Sequence, residues 1–288
     1  MPEVTGTVTV AGVDWGGTWI RAAAVADGRI LRRERRAKPA SLAEQYATVA
    51  ELVRRVGGSA VGVGLAGVVQ EGLVGTAANL GFTDGTDVAA ALRPLLAVPV
   101  RLLNDAQAAA LGLAARWPHG TTAVLTMGTG IGGAVIRDGA LDPGLGGAGD
   151  FGHMVVDLGG PRCPCGGTGC LEALVSGRVL ASAANALGLP DAAALVAAAG
   201  RGDERAAGVL DRSALALAAG VRSIVAAHDP HRIVLAGAPL APDTWLGRAV
   251  RAHWDRIRPH WARTELHHAG DDEDAALLGA AAYALDRL

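Results

Sequence analysis

All three cysteines of the chain fall within eight residues, as Cys163-x-Cys165-x4-Cys170, and His153 stands ten residues before the first of them. Three thiolates and one imidazole form a closed tetrahedral set for zinc, with no coordination position left for a reacting water. Gly166, Gly167 and Gly169 supply turns tight enough to wrap an ion. Unrelated core cysteines would be scattered along the chain. The spacing therefore predicts one structural zinc held by His153, Cys163, Cys165 and Cys170.

Two glycine-rich turns carry a second kind of chemistry. Asp14-Trp15-Gly16-Gly17-Thr18 lies between the apolar runs Val8 to Val13 and Ile20 to Val25. Gly128-Thr129-Gly130-Ile131-Gly132-Gly133 lies likewise between Thr122 to Met127 and Ala134 to Ile136. Each second run ends in an Asp-Gly turn, Asp27-Gly28 and Asp138-Gly139, a strong hairpin dipeptide. Such turns bring N–H groups up to phosphate oxygens with no Cβ in the way. Asp14 is suited to hold Mg²⁺, through water. One turn of this kind is an ordinary hairpin; two matched ones predict two related lobes. Gly128-x-Gly130-x-x-Gly133 also satisfies the dinucleotide fingerprint, but that fingerprint needs a helix at its third glycine. Ala134 to Gly139 reads instead as strand and turn.

The elements that must position these groups alternate. Ser41-Leu42-Ala43-Glu44 opens a helix with a capping box, carried by Leu42, Val49, Leu52, Val53 and Val56 and stopped at Gly57-Gly58. Ala60 to Leu65 reads as a buried strand, and Asp87 to Leu96 as a helix broken or kinked at Pro94. Val98 to Leu103 reads as a strand ending at Asn104-Asp105, with helix from Ala106 to about Arg116. Beyond residue 170 the pattern is helical and Ala-rich, with one clear strand at Ile233 to Ala236 and a last helix from about Asp274 to Leu285. The alternation predicts α/β layers with mixed sheets. Asp105 alone is equally readable as a helix N-cap or as a base at a strand end.

Composition sets the remaining bounds. With 288 residues and 50% hydrophobic content the chain can bury a substantial core, while 3% aromatics leave the packing to Ala, Val and Leu. A net charge of −2 gives no reason to expect nucleic acid or an anionic membrane as partner. The run Arg32, Arg33, Arg35, Arg36 reads as a solvated face. Met1 to Thr9 lacks the basic and apolar regions of a leader, and no uninterrupted apolar run reaches the length of a membrane span. The expectation is a cytoplasmic protein whose cysteines stay reduced.

The chain resembles the ROK family of repressors, uncharacterised reading frames and sugar kinases, within the actin/hexokinase-like superfamily. The resemblance covers essentially the whole chain. Its most specific part is Gly152-His153 followed by Cys163-Pro-Cys165-Gly-Gly-Thr-Gly-Cys170-Leu-Glu172. Asp14 to Thr18, Asn79-Leu80, Asn104-Asp105 with Ala108-Ala109-Ala110, the Gly128–Gly133 turn and Asp274 to Ala280 support it. It implies a two-lobed, ribonuclease H-like α/β fold with mixed sheets and the zinc loop in the larger lobe. The expected lobes are 1–105, to which the helix at 274–288 returns, and 106–273.

The resemblance further implies ATP-dependent phosphorylation of a hexose or hexose-like sugar, at the 6-hydroxyl. Glucose, N-acetylmannosamine, an aminohexose such as kanosamine and a cyclitol are the candidates. By the same resemblance Asp105 is the general base. Asn79, Asn104, His153 and Glu172 contact the sugar, and Asp150 stands where the family usually has Glu. Asp14, Gly16, Gly17 and Thr18 serve Mg²⁺ and phosphate, Gly128, Thr129 and Gly130 cradle phosphate, and Gly237 lies on the nucleotide side. Trp19 replaces the usual Lys or Asn, and Ala236-Gly237 the usual double glycine. A homodimer is implied as well. Family repressors carry a helix-turn-helix domain before the first turn, whereas thirteen residues precede Asp14 here, so the expectation is the enzyme.

Overall fold

The computed structural model describes residues 8–286 other than 71, 76, 78 and 79. In chain order its elements are β1 (Val10–Trp15), β2 (Trp19–Ala26), β3 (Arg29–Ala37), α1 (Leu42–Val56), β4 (Val61–Leu65), β5 (Val69–Gln70), β6 (Leu73–Val74), α2 (Val88–Leu96), β7 (Val100–Asn104) and α3 (Asp105–Ala114). There follow β8 (Thr121–Met127), β9 (Ile131–Arg137), β10 (Ala140–Asp142), α4 (Leu171–Leu174), α5 (Gly177–Ala186), α6 (Ala192–Gly200), α7 (Glu204–His228), β11 (Arg232–Ala236), α8 (Trp245–Ile257), β12 (Glu265–Gly270) and α9 (Ala275–Leu285). Short 3-10 turns stand at Phe151–His153 and Ala238–Leu240. Among the described residues no helix is long and apolar enough to cross a membrane.

Two five-stranded sheets organise these elements, in the orders β3-β2-β1-β4-β7 and β10-β9-β8-β11-β12. Counted from its own first strand, each sheet has the same order. The senses also agree: β1–β2 and β8–β9 are antiparallel hairpins. The pairs β1–β4, β4–β7, β8–β11 and β11–β12 are parallel. The repeat expected from the two hairpins is thus a repeat of topology. Even the Asp-Gly turns match, with φ of 49° and 70° at Asp27-Gly28 and 48° and 80° at Asp138-Gly139. Both residues of each pair take the positive φ that a tight hairpin turn demands.

By compactness the chain divides into Met1–Ala115 with Leu141–Ala148 and Glu273–Leu288, and Arg116–Ala140 with Gly149–Asp272. In the first unit the central strand β4 is buried on both faces, which is why it is apolar or glycine without alternation. One face packs on Val49, Leu52 and Val53 of α1 and Val88 and Leu92 of α2. The other meets Leu277, Ala281 and Ala284 of α9. Small residues set the distance there. A Cβ added to Gly12, Gly62 or Gly279 would overlap the carbonyl oxygens of Leu277, Ala280 and Ala108 respectively. The backbone of α9 therefore lies directly on β1, β4 and α3. In the second unit α7, α8 and β11 share a core that includes Leu217, Val221, Ile233, Leu235, Val250 and Trp254.

Several local expectations change. Asp14 and Trp15 belong to β1, and the first turn is confined to Gly16–Thr18. The second turn shortens to Gly128–Gly130, because Ile131, Gly132 and Gly133 pair with β8. The helix α2 continues through Pro94 and ends at Leu96, where Ala97 turns left-handed with φ 56°. The last strand, β12, and the β5–β6 hairpin were not foreseen. The arginine run lies on the edge strand β3, where Arg33 pairs with Asp274 and Arg36 with Glu51, the solvated face expected of it.

Candidate active site

In the first unit, Asp14 is the next-to-last residue of β1, beside the glycine turn. A cleft of about 340 Å³ there is lined by Asp14, Gly16, Gly17, Thr18, Trp19 and Arg21. Burial is the main reason that the Asp14 carboxyl is pushed up to about 6; Arg21, 3.7 Å away, opposes the rise, and the charge of Asp105 adds to it. The register Asp14↔Gly64 and Leu65↔Asn104 brings these groups to the carboxyl ends of three parallel strands. That is where α/β sheets bind ligands. A mostly buried carboxyl raised in this way, with a second carboxylate near it, is a fitting neighbourhood for a hydrated divalent cation.

Asp105 is not the N-cap of α3. The N-cap of α3 is Asn104, whose Oδ1 accepts from the Ala106 and Gln107 N–H groups at 2.8 and 3.2 Å. Gln107 Oε1 accepts from the Asn104 N–H in return, completing a capping box. The Asn104 Nδ2 donates to the Gly67 carbonyl at 3.0 Å, so this side chain is fixed on both sides. Asp105 follows as the first helical residue, its Oδ1 accepting from the Ala106 N–H at 2.8 Å. A helix N-terminus favours a carboxylate at that position. Asn79 lies outside the described residues.

In the second unit His153, Cys163, Cys165 and Cys170 place one donor atom each within 4.8 Å of one another. The His153 Nδ1 stands 3.6 Å from the Cys163 Sγ, and the Cys165 and Cys170 sulfurs are 3.7 Å apart. Tetrahedral zinc with ordinary bond lengths requires donor separations of about 3.6–3.8 Å. The donor set fits zinc. Burial and the neighbouring thiols push the Cys170 thiol up to about 12, a state that a bound cation would reverse. The His153 Nε2 faces the Asp150 Oδ2 at 3.8 Å. The Asp150 carboxyl sits above the usual range, first through partial burial, with His153 opposing and Glu172 adding to the rise.

The same unit holds the second turn. The Gly128 N–H closes it by donating to the Gly130 carbonyl at 3.0 Å. Glu172 comes two residues after Cys170, and its Oε2 accepts the Ile131 N–H at 2.8 Å. Gly237 follows β11, in contact with the Met127 backbone, and its N–H donates to Gly270. Sequence reasoning missed Arg21, Gln107 and Arg178. Each acts through a tertiary or capping contact, and only the Asn-x-x-Gln spacing at 104–107 was a signal available beforehand.

The ROK family model matches residues 10–287. The chain belongs to the ROK family. It is 35% identical to the N-acetylmannosamine kinase of Escherichia coli O127:H6, with 96% of this chain and 98% of the relative covered. Among solved structures, the ROK hexokinase from Thermus thermophilus matches with a TM-score of 0.86 at 33% identity, covering 96% of this chain and 98% of that one. A ROK family glucokinase from Streptomyces griseus, solved with glucose and AMPPNP, gives 0.81 at 28% identity, with 96% and 99% covered. The mixed two-sheet architecture is that of these ROK enzymes.

Proposed function

We propose that this ROK protein is an ATP-dependent sugar kinase that transfers the γ-phosphoryl group to a hexose or hexose-like substrate, with the 6-hydroxyl as acceptor. The observation that carries the reading is Asp105, fixed at the first position of α3 at the carboxyl end of the parallel strands. A sugar hydroxyl is a poor nucleophile. Asp105 accepts its proton as the new oxygen–phosphorus bond forms and the bond to ADP breaks. Asn104, Asp150, His153 and Glu172 are assigned to the sugar, and Asn79 joins them on the resemblance alone. Asp14, Gly16, Gly17 and Thr18 serve Mg²⁺ and phosphate, Gly128, Thr129 and Gly130 phosphate, and Gly237 the nucleotide side. Mg²⁺, when bound, supplies charge neutralisation on the phosphates, and zinc fixes the loop that carries His153. The kinases among the relatives support this reading; a cytoplasmic homodimer goes with it.

Asp150 bears on the choice of sugar. It is one methylene shorter than the glutamate that the family usually has, which draws the carboxylate back by about 1.5 Å, more than a hydrogen bond can stretch. An amino group in that gap would gain a charge-assisted bond. The test is a panel of glucose, N-acetylmannosamine, aminohexoses and cyclitols with MgATP, with the phosphate on the product located by NMR. The same panel is run on Asp150→Glu. The expected result is phosphorylation in the panel and a kcat/KM ratio that moves toward glucose in the variant. Glucose as best substrate with an unchanged ratio would remove the role of Asp150. A panel with no phosphorylated sugar would remove the kinase reading.

A further inference from the structure

The second turn is held from outside by the segment that follows the zinc ligands. Cys170 caps α4, and Leu171 next to it donates its N–H to the Met154 carbonyl at 2.8 Å, one residue beyond the ligand His153. From α4, Glu172 reaches the turn with Oε2 on the Ile131 N–H. A Cβ on Gly130 would overlap that carboxylate oxygen, so the glycine makes room for Glu172 itself. Two backbone bonds run beside it: the Gly177 N–H donates to the Gly128 carbonyl at 2.9 Å, and the Arg178 N–H to the Thr129 carbonyl at 3.1 Å. The Arg178 guanidinium closes the loop by donating to the Glu172 Oε1 at 3.0 Å.

We infer that Glu172 and Arg178 are positioning residues for the nucleotide's phosphates, bracing the Gly128–Ile131 turn on the zinc loop. This rests on the assignment of that turn to phosphate under the proposed function. The physical case is one of preorganisation. The turn offers the N–H groups of Thr129 and Gly130 to phosphate only while its backbone is held in one conformation, and ordering it at each binding event would weaken affinity. The main-chain and side-chain bonds from residues 172–178 fix it beforehand. Glu172 is an odd neighbour for a phosphate because its charge repels one. Arg178 resolves this: its guanidinium pairs with the carboxylate and leaves the turn without net negative charge. Sugar contact alone gives no reason for Glu172 to take a turn amide, nor for Arg178 to be tied to the turn through its main chain and to Glu172 through its side chain.

The test uses zinc-replete protein and two measurements: exchange of the Ile131 amide by NMR without ligand, and calorimetric affinity for a nonhydrolysable MgATP analogue without sugar. Loss of a hydrogen bond to a charged group predicts an effect of about tenfold or more. Glu172→Ala is therefore expected to speed exchange at Ile131 and weaken analogue binding by about tenfold, with zinc content unchanged. Glu172→Gln keeps an acceptor oxygen and is expected to stay within about threefold of wild type. Arg178→Ala is expected to weaken analogue binding by about two- to fivefold with the sugar KM unchanged. Ile131 exchange unaltered in Glu172→Ala, or analogue affinity unaltered in Arg178→Ala, overturns the inference. If Glu172→Ala does not fold, Arg178→Ala decides alone. Wild-type protein that binds no analogue defeats the kinase reading and the inference together, whereas variants that fail only on the sugar KM defeat the inference and leave the kinase reading standing.

Discussion

The two hairpins occupy the same place in two sheets of the same order, yet they end in different chemistry. Trp15 pairs with Ile20 across the first turn and Met127 with Ile131 across the second, so the stretch between the paired residues is one residue shorter in the second, Trp19 counting in the first although it belongs to β2. One position before those pairs stands a carboxylate, Asp14, in the first hairpin and a hydroxyl, Thr126, in the second. Around Gly17 there is open space, whereas the direction in which a side chain would leave Gly130 is filled by Glu172. One topology thus serves two tasks. The first unit places titratable carboxylates at the ends of parallel strands, where they can react. The second ties its turn to the segment that follows the cysteine and histidine cluster.

The sharpest break in this contrast is Asp105→Asn, which should abolish reaction in the first unit without disturbing what holds either hairpin. Loss of a positioned base is expected to lower kcat by about 10²- to 10⁴-fold, with sugar affinity by calorimetry near wild type. A variant with wild-type kcat would end the assignment. Cys165→Ser attacks the other side of the comparison. Loss of one ligand of four should remove about a quarter of the free energy of a structural zinc, roughly 3–4 kcal/mol. That corresponds to a fall in Tm of roughly 6–16 °C for a chain of this size, with zinc by metal analysis falling below one per chain. Full zinc and an unmoved Tm would mean that the loop is not ordered by metal.

The smallest effect is expected at Asp14. Its folded carboxyl titrates at about 6 against an ordinary 3.8. The folded state therefore binds the proton more tightly than the unfolded one. Stability then falls as pH rises from about 4 to 6, and the deficit of roughly 2–3 kcal/mol persists above that window. Asp14→Asn removes the deficit. In metal-free buffer its Tm should exceed wild type at pH 7.5 and match it at pH 4. An equal gain at both pH values would show that ionisation of Asp14 is not its cause.

What the sequence carried was whatever is encoded locally. The Asp-Gly turns, the Ser41 cap and the clustered cysteines each depend on residues a few positions apart, and each is found where its spacing pointed. The repeat of topology followed from two such hairpins. Strand β12 was hidden because Glu265-Leu266-His267-His268-Ala269-Gly270 has neither β-branched residues nor apolar alternation, and only Leu266 is buried. It forms because β11 offers it a parallel edge. The second turn was read too long because glycine marks turns in general, while Gly132 and Gly133 here lie in a strand whose neighbours approach closely. The hold of Glu172 on Ile131 spans 41 residues, and no periodicity reports a contact of that kind.

The seam of α9 against β1, β4 and α3 has a consequence for the order in which the chain can fold during synthesis. From Ala114, the end of α3, to Ala275, the start of α9, about 160 residues must be added, which takes roughly 10–30 s at ordinary elongation rates. All of the second unit leaves the ribosome within that interval. Throughout it, Val10, Ala23, Val25 and Ala60 have no α9 to cover them, and the glycines that admit its backbone have nothing to admit. The second unit can therefore be complete while the first, begun earlier, still waits for its last helix. Nascent chains arrested before residue 275 would present a bare apolar sheet face to chaperones, and those arrested after α9 has emerged would not.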